Sequence, residues 1–459
     1  MSKIPGLRTL IKIAGLAVLF ISVNGCEGWL WDVQQMRATS KTTPLKVGTI
    51  EGPLSYSLFR SDRHGYEHDL LWEFAQDRGY SLQFITYKSE QEVLEKLKTG
   101  EVQVGAARLP AHWGQSQDLM LGPSYDDQKL VVTCRRDFSV ETSMTGTLKN
   151  MKDLKLVVHR KQMGPQARTQ FRKTYSSVRL FERDQESIPH LMSQTRKKFF
   201  DCLVADEMET LTYLRFFPSL EVKAKLGQGQ PYHFVVGTKS RSLASEMSYW
   251  FQRAARRGEI GRIKDRYMTH LEELSIQDQS KFFRSLSSQL DSYKKNFKKS
   301  AKEFSLPWQL VAAVAYQESH WQHDAESFTG VKGLMQLTRD TAEYVGVEDR
   351  LDPVQSIWGG AKYLRYLLDK QPKDLPFRER LALALAAYNV GVAHLSDAQA
   401  LAENLGKDPY SWKDLKTVLP LLSDPTYYDE LKYGPARGQE PVDFVHRVLG
   451  FYDLMTIKI

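Results

Sequence analysis

The stretch Ala315-Tyr316-Gln317-Glu318-Ser319-His320-Trp321 closes an almost wholly apolar run that begins at Leu310. Helix-start signals come just before this run, because Ser305 suits an N-cap position and Pro307 suits a first turn. The pattern therefore predicts a short buried helix with Glu318 in its last turn. Burial disfavours the charged form of a carboxyl group, so we expect the pKa of Glu318 to rise to where the group can donate a proton near neutral pH.

Two further motifs follow Glu318 along the chain. Residues 327–337 (Ser-Phe-Thr-Gly-Val-Lys-Gly-Leu-Met-Gln-Leu) form a glycine-punctuated turn, and residues 386–391 (Ala-Ala-Tyr-Asn-Val-Gly) close a second apolar helix. A Glu at the end of a buried helix, taken alone, is more often a solvated terminal residue. The order Glu-Ser, then Gly-Leu-Met-Gln, then Ala-Tyr-Asn, however, resembles the catalytic domain of the lytic transglycosylases with a goose-type lysozyme fold. Residues 351–353 and 359–364 extend the match.

This resemblance implies an all-α, lysozyme-like domain that cleaves the β-1,4 bond between N-acetylmuramic acid and N-acetylglucosamine of peptidoglycan without using water. It implies that Glu318 acts first as the acid and then as the base. The residues implied to line the saccharide cleft are Ser319, Gly333, Met335, Gln336, Tyr388 and Asn389. For several of them a structural role is the alternative: a helix cap for Ser319, a plain turn for Gly333, and core packing for Met335 and Tyr388.

One position departs from the pattern of the resembled family. That family often carries a Tyr near the C-terminus that reaches the catalytic Glu, but residues 440–445 (Glu-Pro-Val-Asp-Phe-Val) place Phe444 there. A phenyl ring cannot donate a hydrogen bond. Either Tyr433 or Tyr388 compensates, or the pKa of Glu318 rises further without that donor.

Two other functional interpretations stay open at this point. One is a muramidase that uses water, whose product is heavier by one water than an anhydro product. The other is a sensor of wall fragments that holds glycan without cleaving it. Asp324 and Glu326 are the next candidate acids, although their polar loop favours turn residues.

Length and charge limit the classes of protein to consider. A chain of 459 residues predicts two or three domains, and the net charge of +8 suits an anionic partner such as nucleic acid, phospholipid or an acidic wall polymer. No helix-turn-helix, RNA-binding sheet or phosphate-cradling loop is evident, so we expect no nucleic-acid partner. No metal-ligand spacing occurs in the sequence, and we expect no cofactor.

The N-terminus predicts export. Lys3, Arg8 and Lys12 flank or precede an apolar run over residues 11–23, which is shorter than the roughly 20 apolar residues that a spanning helix needs. Residues 23–26 (Val-Asn-Gly-Cys) resemble a bacterial lipoprotein box with Cys26 as the lipidated residue; an ordinary signal peptide is the alternative. We expect residues 1–26 to be the signal, residues 27–44 a linker, and the location to be the periplasmic face of the outer membrane, with peripheral or lipid-anchored attachment.

Residues 45–270 alternate short apolar runs with helical segments, which predicts an α/β module with a mostly parallel sheet. Residues 65–71, 100–106, 122–125 and 201–206 resemble the solute-binding proteins of family 3. The resemblance implies a two-lobed periplasmic-binding-protein-like fold with a ligand between the lobes. Residues 271–459 are then the lysozyme-like domain. In an oxidising compartment Cys134 and Cys202 either pair or lie as buried small hydrophobes.

The ligand of this module is predicted from four residues. Asp206 falls where the resembled family commonly holds a ligand ammonium group, with Tyr56 and Asp69 as further candidates. The family's carboxylate-binding Arg is Gln115 here, and Arg108 is a possible substitute. We therefore expect a wall-derived peptide (muropeptide) or an amino acid as ligand; the alternative is that these residues are turn or cap residues of a degenerate module.

Apolar residues recur at three- and four-residue steps over residues 283–304, with lysines between them. This period predicts one amphipathic helix between the modules. We expect the helix to pack on the catalytic domain, with Lys294, Lys295, Lys298 and Lys299 on its solvated face.

Overall fold

The computed structural model describes residues 43–59, 62–115, 119–139, 141–142, 148–150, 153–184, 186–268, 274–327 and 330–456. The predicted export signal and Cys26 lie outside these ranges, as does the predicted domain boundary at residue 270. Over the described residues, no helix combines the length and the apolar character that crossing a bilayer requires.

The first module contains the strands and eight of the described helices. The strands are β1 Leu45–Ile50, β2 Ser57–Phe59, β3 Asp62–His64, β4 Leu82–Tyr87, β5 Val104–Pro110, β6 Met120–Asp126, β7 Lys129–Arg135, β8 Glu141–Thr142, β9 Leu148–Asn150, β10 Lys155–His159, β11 Arg179–Arg183, β12 Cys202–Asp206, β13 Leu220–Gln228 and β14 Tyr232–Val236. The helices are α1 Tyr66–Arg78, α2 Glu90–Thr99, α3 Ala111–Gln115, α4 Pro165–Thr174, α5 Ile188–Arg196, α6 Glu207–Leu214, α7 Arg241–Arg256 and α8 Glu259–Met268.

Two five-stranded sheets form two lobes. Their strand orders are β4-β1-β5-β14-β6 and β11-β10-β12-β7-β13. In each sheet four strands run in one direction and one strand, β14 or β7, runs the other way, so two of the four pairings are parallel and two are antiparallel. The chain crosses between the lobes twice, after β6 and before β14, and each crossing brings in an antiparallel strand. The two-lobed α/β fold is therefore confirmed. Most strands of each sheet share one direction, and the single reversed strand makes the sheet mixed.

Cys134 and Cys202 resolve the alternative that the sequence left open. They face each other on the antiparallel strands β7 and β12, both are fully buried, and they form a disulfide. This cross-link joins two neighbouring strands of the second lobe.

The second module is all helical, as predicted. Its helices are α9 Ile276–Ser288, α10 Leu290–Glu303, α11 Trp308–Ser319, α12 Arg339–Val345, α13 Pro353–Asp369, α14 Phe377–Val390, α15 Val392–Asn404, α16 Trp412–Val418 and α17 Gln439–Thr456, with 3₁₀ turns at Leu419–Ser423 and Pro425–Glu430. Helix α11 is the central element, and every residue from Leu310 to Tyr316 is buried in it. A helix that is apolar on all sides must be surrounded by other elements, which explains its position.

The predicted amphipathic helix is two helices. Gln289 leaves helical geometry (φ −123°), and its amide donates to the carbonyl of Ser285 at 2.8 Å. Because of the break, each helix buries one aromatic ring. Phe282 of α9 packs against Tyr316 of α11, with ring centroids 4.7 Å apart. Phe297 of α10 packs against Trp321 in the turn after α11, with ring centroids 6.4 Å apart. The prediction of one continuous helix was wrong because a constant period does not reveal a change of direction.

Ser305 does not cap α11, contrary to the prediction. It adopts a left-handed conformation (φ 55°), and the amide of Leu306 donates to the carbonyl of Ala301 at 2.8 Å. This hydrogen bond is the Schellman closure of α10, so Ser305 ends one helix while Pro307 starts the next.

Buried charges join the two modules. Arg266 in α8 contacts Asp69 at 2.8 Å and Glu379 in α14 at 3.0 Å. Asp453 in α17 contacts Arg378 at 2.6 Å and Arg215 of the second lobe at 3.4 Å. Buried charges remain charged only when paired. The pairs Arg266–Glu379 and Arg215–Asp453 cross between the modules, so they form only when the modules are packed together.

Candidate active site

Glu318 lies in the last turn of α11, as the sequence predicts. Its side chain is half-buried, and that burial raises the pKa of the carboxyl from 4.5 to about 8. Among the described residues, none donates a hydrogen bond or forms an ion pair to this carboxyl. The group is therefore protonated at neutral pH, and both of its oxygens remain free for a ligand.

The chain turns sharply just after Glu318. His320 and Trp321 both have positive φ (53° and 64°), and the indole of Trp321 donates back to the carbonyl of Ala312 at 2.9 Å. Ser319 is buried, and its hydroxyl lies 3.1 Å from the carbonyl oxygen of Ala315 and 3.0 Å from that of Leu334. The hydroxyl therefore ties the end of α11 to the glycine-rich loop, so Ser319 positions Glu318.

The glycine-rich loop has a conformation that depends on Gly333. Its φ is +79°, and a Cβ at this position would lie 1.8 Å from the carbonyl oxygen of Arg350. Gln336 also has positive φ (46°), and its side-chain amide donates to the carbonyls of Ala325 (3.0 Å) and Gly333 (2.9 Å). The amide of Gln336 therefore stabilises the loop internally.

Met335 is fully buried and packs against Gly360 in α13. A Cβ added to Gly360 would lie 2.5 Å from the side chain of Met335. Its backbone amide donates to the hydroxyl of Ser356 at 3.2 Å. Its carbonyl accepts from the hydroxyl of Tyr388 at 2.9 Å. The side chain packs in the core, while the backbone positions Tyr388.

Tyr388 is in α14 and lies near enough to Glu318 for the two groups to interact electrostatically. Burial, and then the proximity of Glu318, raises the pKa of its phenol well above the usual value. Phe444 in α17 stacks almost parallel on the ring of Tyr388, with centroids 6.1 Å apart and planes 6° apart. Because the hydroxyl of Tyr388 donates to Met335, it does not replace the missing donor at Phe444. Tyr433 is half-exposed, and its ring contacts Lys432.

Asn389 is exposed at the end of α14. It lines a groove of about 470 Å³ together with His394, Tyr428 and Arg437. Neither Glu318 nor Tyr388 is among the residues that line this groove. The groove provides space for a ligand with polar and charged groups.

The two alternative acids lie in a solvated loop. Asp324 is exposed, and Glu326 is exposed and pairs with Lys332 at 3.0 Å. Neither residue shares the desolvation of Glu318. Within the described ranges, no group of three His, Cys, Asp or Glu side chains is placed to hold a metal ion.

The first module contains a second candidate site, a cavity of about 1610 Å³ between the lobes. Tyr56 is one of its lining residues, and its ring stacks on Phe84 at 4.8 Å. Asp69, Arg108 and Asp206 are not among the lining residues. The structure therefore brings only one of the four predicted ligand residues to this cavity.

Arg108 of the first lobe and Asp206 of the second form a buried pair. Arg108 contacts Asp206 at 2.9 Å and Asp126 at 3.3 Å, and its guanidinium lies 4.0 Å from the centre of the Tyr232 ring. Asp206 also caps α6 by accepting from the amide of Glu209 at 3.1 Å. Their charges stabilise the module internally.

Sequence reasoning missed the charged residues that do line the cavity. Lys161 of the second lobe contacts Glu90 of the first at 2.7 Å and Glu209 at 3.6 Å, and Lys161 is almost fully buried. No local pattern marks these residues, because Glu90 and Lys161 lie on different lobes and meet only through the fold.

Known proteins resemble both parts of the chain. A family model described as the Transglycosylase SLT domain matches residues 295–411. A membrane-bound lytic murein transglycosylase F 2 of Alkalilimnicola ehrlichii is 35% identical over 450 residues, which cover 98% of this chain and 99% of that protein. A membrane-bound lytic murein transglycosylase F of Pseudomonas fluorescens is 34% identical over 415 residues, covering 90% of this chain and 84% of that protein.

Solved structures resemble the first half of the chain. An ancestral arginine-binding protein bound to arginine is 16% identical with a TM-score of 0.41, and the match covers 50% of this chain and 99% of that one. The two-lobed fold rests on the sheets described above. Because the curated relatives are similar over nearly the full length, the chain belongs to the membrane-bound lytic murein transglycosylase F family.

Proposed function

We propose that the protein cleaves the β-1,4 bond between N-acetylmuramic acid and N-acetylglucosamine of peptidoglycan without water, leaving a 1,6-anhydromuramic end. The observation that carries this proposal is the half-buried carboxyl of Glu318, whose pKa of about 8 keeps it protonated at neutral pH. A general acid works best when its pKa lies near the working pH.

Glu318 acts twice in the proposed reaction. It first donates its proton to the glycosidic oxygen, and the bond from that oxygen to the anomeric carbon of the muramic acid breaks. The 2-acetamido oxygen of the substrate supports the positive charge at that carbon. The carboxylate of Glu318 then takes the proton of the C6 hydroxyl, whose oxygen bonds to the same carbon, and the carboxyl is restored. No water is consumed, and no second carboxyl group is needed.

The other cleft residues position Glu318 and the substrate. Ser319 and Tyr388 connect α11, the loop and α14 through the hydrogen bonds described above, and Gly333 lets backbone approach where a side chain would clash. Asn389 is exposed and offers its side-chain amide to the acetamido group. Met335 and Gln336 shape the loop that forms one wall.

The test is the variant Glu318→Gln on purified peptidoglycan. The replacement is nearly isosteric, so the fold should remain, while the proton donor is lost. We expect the cleavage rate to fall by at least about 100-fold. Glu326→Gln is the matched control, because it removes an exposed carboxyl from the same region, and it should retain activity. Substantial turnover by Glu318→Gln would refute the assignment.

The mass of the product separates the proposed reaction from its rivals. Anhydro ends, each lighter by one water than a reducing end, are expected. Reducing ends would indicate a hydrolytic muramidase. Binding of glycan without any product would indicate a non-catalytic sensor of wall fragments.

We also propose that the cavity between the lobes binds a wall-derived peptide or an amino acid. Its volume of about 1610 Å³ exceeds the roughly 300–1,000 Å³ of ordinary small-molecule sites, which favours a peptide. Titration calorimetry with stem peptides and with single amino acids tests this, with Tyr56→Ala as the variant expected to weaken binding. No binding of either ligand class would refute the proposal.

For the location, we propose the periplasmic face of the outer membrane, with peripheral or lipid-anchored attachment. The support is the basic and apolar N-terminus ending at Cys26, together with the words "membrane-bound" in the names of the relatives. Cell fractionation of the wild-type chain and Cys26→Ala tests the anchor. If Cys26 is lipidated, the variant should leave the membrane fraction; an unchanged distribution would indicate peripheral attachment.

A further inference from the structure

Three tyrosine rings follow one another outward from Tyr388, the residue near Glu318. Tyr363 lies 5.6 Å from Tyr388, Tyr366 lies 6.2 Å from Tyr363, and Tyr344 lies 5.2 Å from Tyr366, measured between ring centroids. With Tyr388 included, the rings come from three helices, α14, α13 and α12. We call Tyr363, Tyr366 and Tyr344 the tyrosine row.

The row leads from the site to the surface. Tyr388, Tyr363 and Tyr366 are partly buried, whereas Tyr344 is 61% exposed. The outer two rings meet edge to face, at an interplanar angle of 62°. An aromatic ring as exposed as Tyr344 adds little to a hydrophobic core, and most of its surface is open to a ligand.

The chemistry of the row suits a glycan strand. Aromatic rings bind through their faces and edges, and the C–H faces of pyranose rings are apolar surfaces that stack on them. The ammonium of Lys370 lies 5.2 Å from the centre of the Tyr366 ring, so a positive charge flanks the row. Peptidoglycan provides both sugar rings and carboxylates, and the row continues from Tyr388, which lies near enough to Glu318 for that carboxyl to help raise the pKa of its phenol.

We propose that the tyrosine row is a glycan-binding track that holds the strand several sugars away from the cleaved bond. This inference rests on the proposed function of Glu318. A track of this kind lowers KM for long strands and leaves the chemical step unchanged, because it contacts sugars that do not react.

The test compares long glycan strands with a tetrasaccharide of the same repeat. The double variant Tyr344→Ala/Tyr366→Ala should raise KM for long strands about three- to tenfold, the range expected from losing aromatic contacts, with kcat unchanged. We expect a tetrasaccharide that spans the cleaved bond not to reach the outer rings, so its kcat/KM should stay within about twofold of wild type.

Two variants serve as controls. Tyr344→Phe/Tyr366→Phe keeps both rings and should retain a wild-type KM. Tyr249→Ala removes a similarly exposed ring (56%) from the first module and should change nothing. An unchanged KM for long strands in a folded double variant would overturn the proposal, and so would an equal loss on the tetrasaccharide.

If the double variant does not fold, the single variant Tyr344→Ala is measured in its place. Tyr344 is the most exposed ring of the row, so its removal should disturb the fold least. Co-sedimentation of the same variants with insoluble peptidoglycan measures the track without turnover. Failure of the proposed function would appear as activity in Glu318→Gln, whereas failure of the track would appear as unchanged binding by the tyrosine variants.

Discussion

Glu318 gains its chemical character from a partly desolvated position and not from a neighbouring charge. Burial raises its pKa to about 8, so the carboxyl is protonated below that pH and charged above it. We expect kcat/KM to be limited by this group on the alkaline side, falling about tenfold per pH unit above roughly pH 8. A profile of kcat/KM against pH on soluble glycan strands measures this alkaline limb, the pH range over which activity falls. A limb near pH 4.5, the ordinary value for Glu, would contradict the argument.

Phe444 is the residue where this chain departs from the pattern of the resembled family. Its ring is buried and stacks parallel on that of Tyr388. Phe444→Tyr adds a hydroxyl to this stack; if the hydroxyl reaches Glu318, hydrogen bonding favours the carboxylate and lowers its pKa. We expect the alkaline limb of the pH–rate profile to move to lower pH.

The control for Phe444→Tyr is Phe444→Leu, which leaves the site without a donor and should keep the limb in place. An unchanged limb in a folded Phe444→Tyr protein would mean that the new hydroxyl points elsewhere.

At the scale of single elements, the glycine-rich loop depends most on one residue. Gly333→Ala would place a Cβ 1.8 Å from the carbonyl oxygen of Arg350 in a backbone with φ +79°. We expect a loss of about 3 kcal/mol in the free energy of unfolding and a large loss of activity, since the loop must move. Denaturant unfolding and the cleavage rate measure both effects.

Gly330→Ala is the matched control for Gly333→Ala. Gly330 has nearly the same φ (+80°), but no atom of the described residues would lie within 4 Å of its added Cβ. Only the backbone strain remains, about 1 kcal/mol. Equal losses in the two variants would show that the close approach to Arg350 does not matter.

At the scale of the whole molecule, the proposed catalytic residues all belong to the second module and do not depend on its contacts with the first. Glu318, the glycine-rich loop, Tyr388 and the tyrosine row all lie within residues 271–459, so we expect this truncated protein to fold and to cleave soluble glycan. The truncated protein loses the ion pairs that Arg215 and Arg266 form with Asp453 and Glu379. Asp453 keeps its ion pair with Arg378, and the carboxylate of Glu379 still accepts from the backbone amide of Trp412 at 2.8 Å.

The truncated protein should melt at a lower temperature than the full chain, because the face of Phe283 that contacts Phe216 becomes exposed. Circular dichroism and the cleavage rate measure the two outcomes. A truncated protein that is folded but inert would mean that the cleft borrows residues from the first module.

The sequence determined the two kinds of module, the buried helix that ends at Glu318, and the order of the three site motifs. These features are local. An apolar run, a glycine in a turn, and the spacing of apolar residues along the chain each determine structure over a short stretch of sequence. Tertiary structure alone decided that Asp206 pairs with Arg108, that Asp69 joins the module interface, and that Glu90 meets Lys161 across the cavity. The partner of a buried charge comes from distant parts of the chain, and only the fold brings the two together.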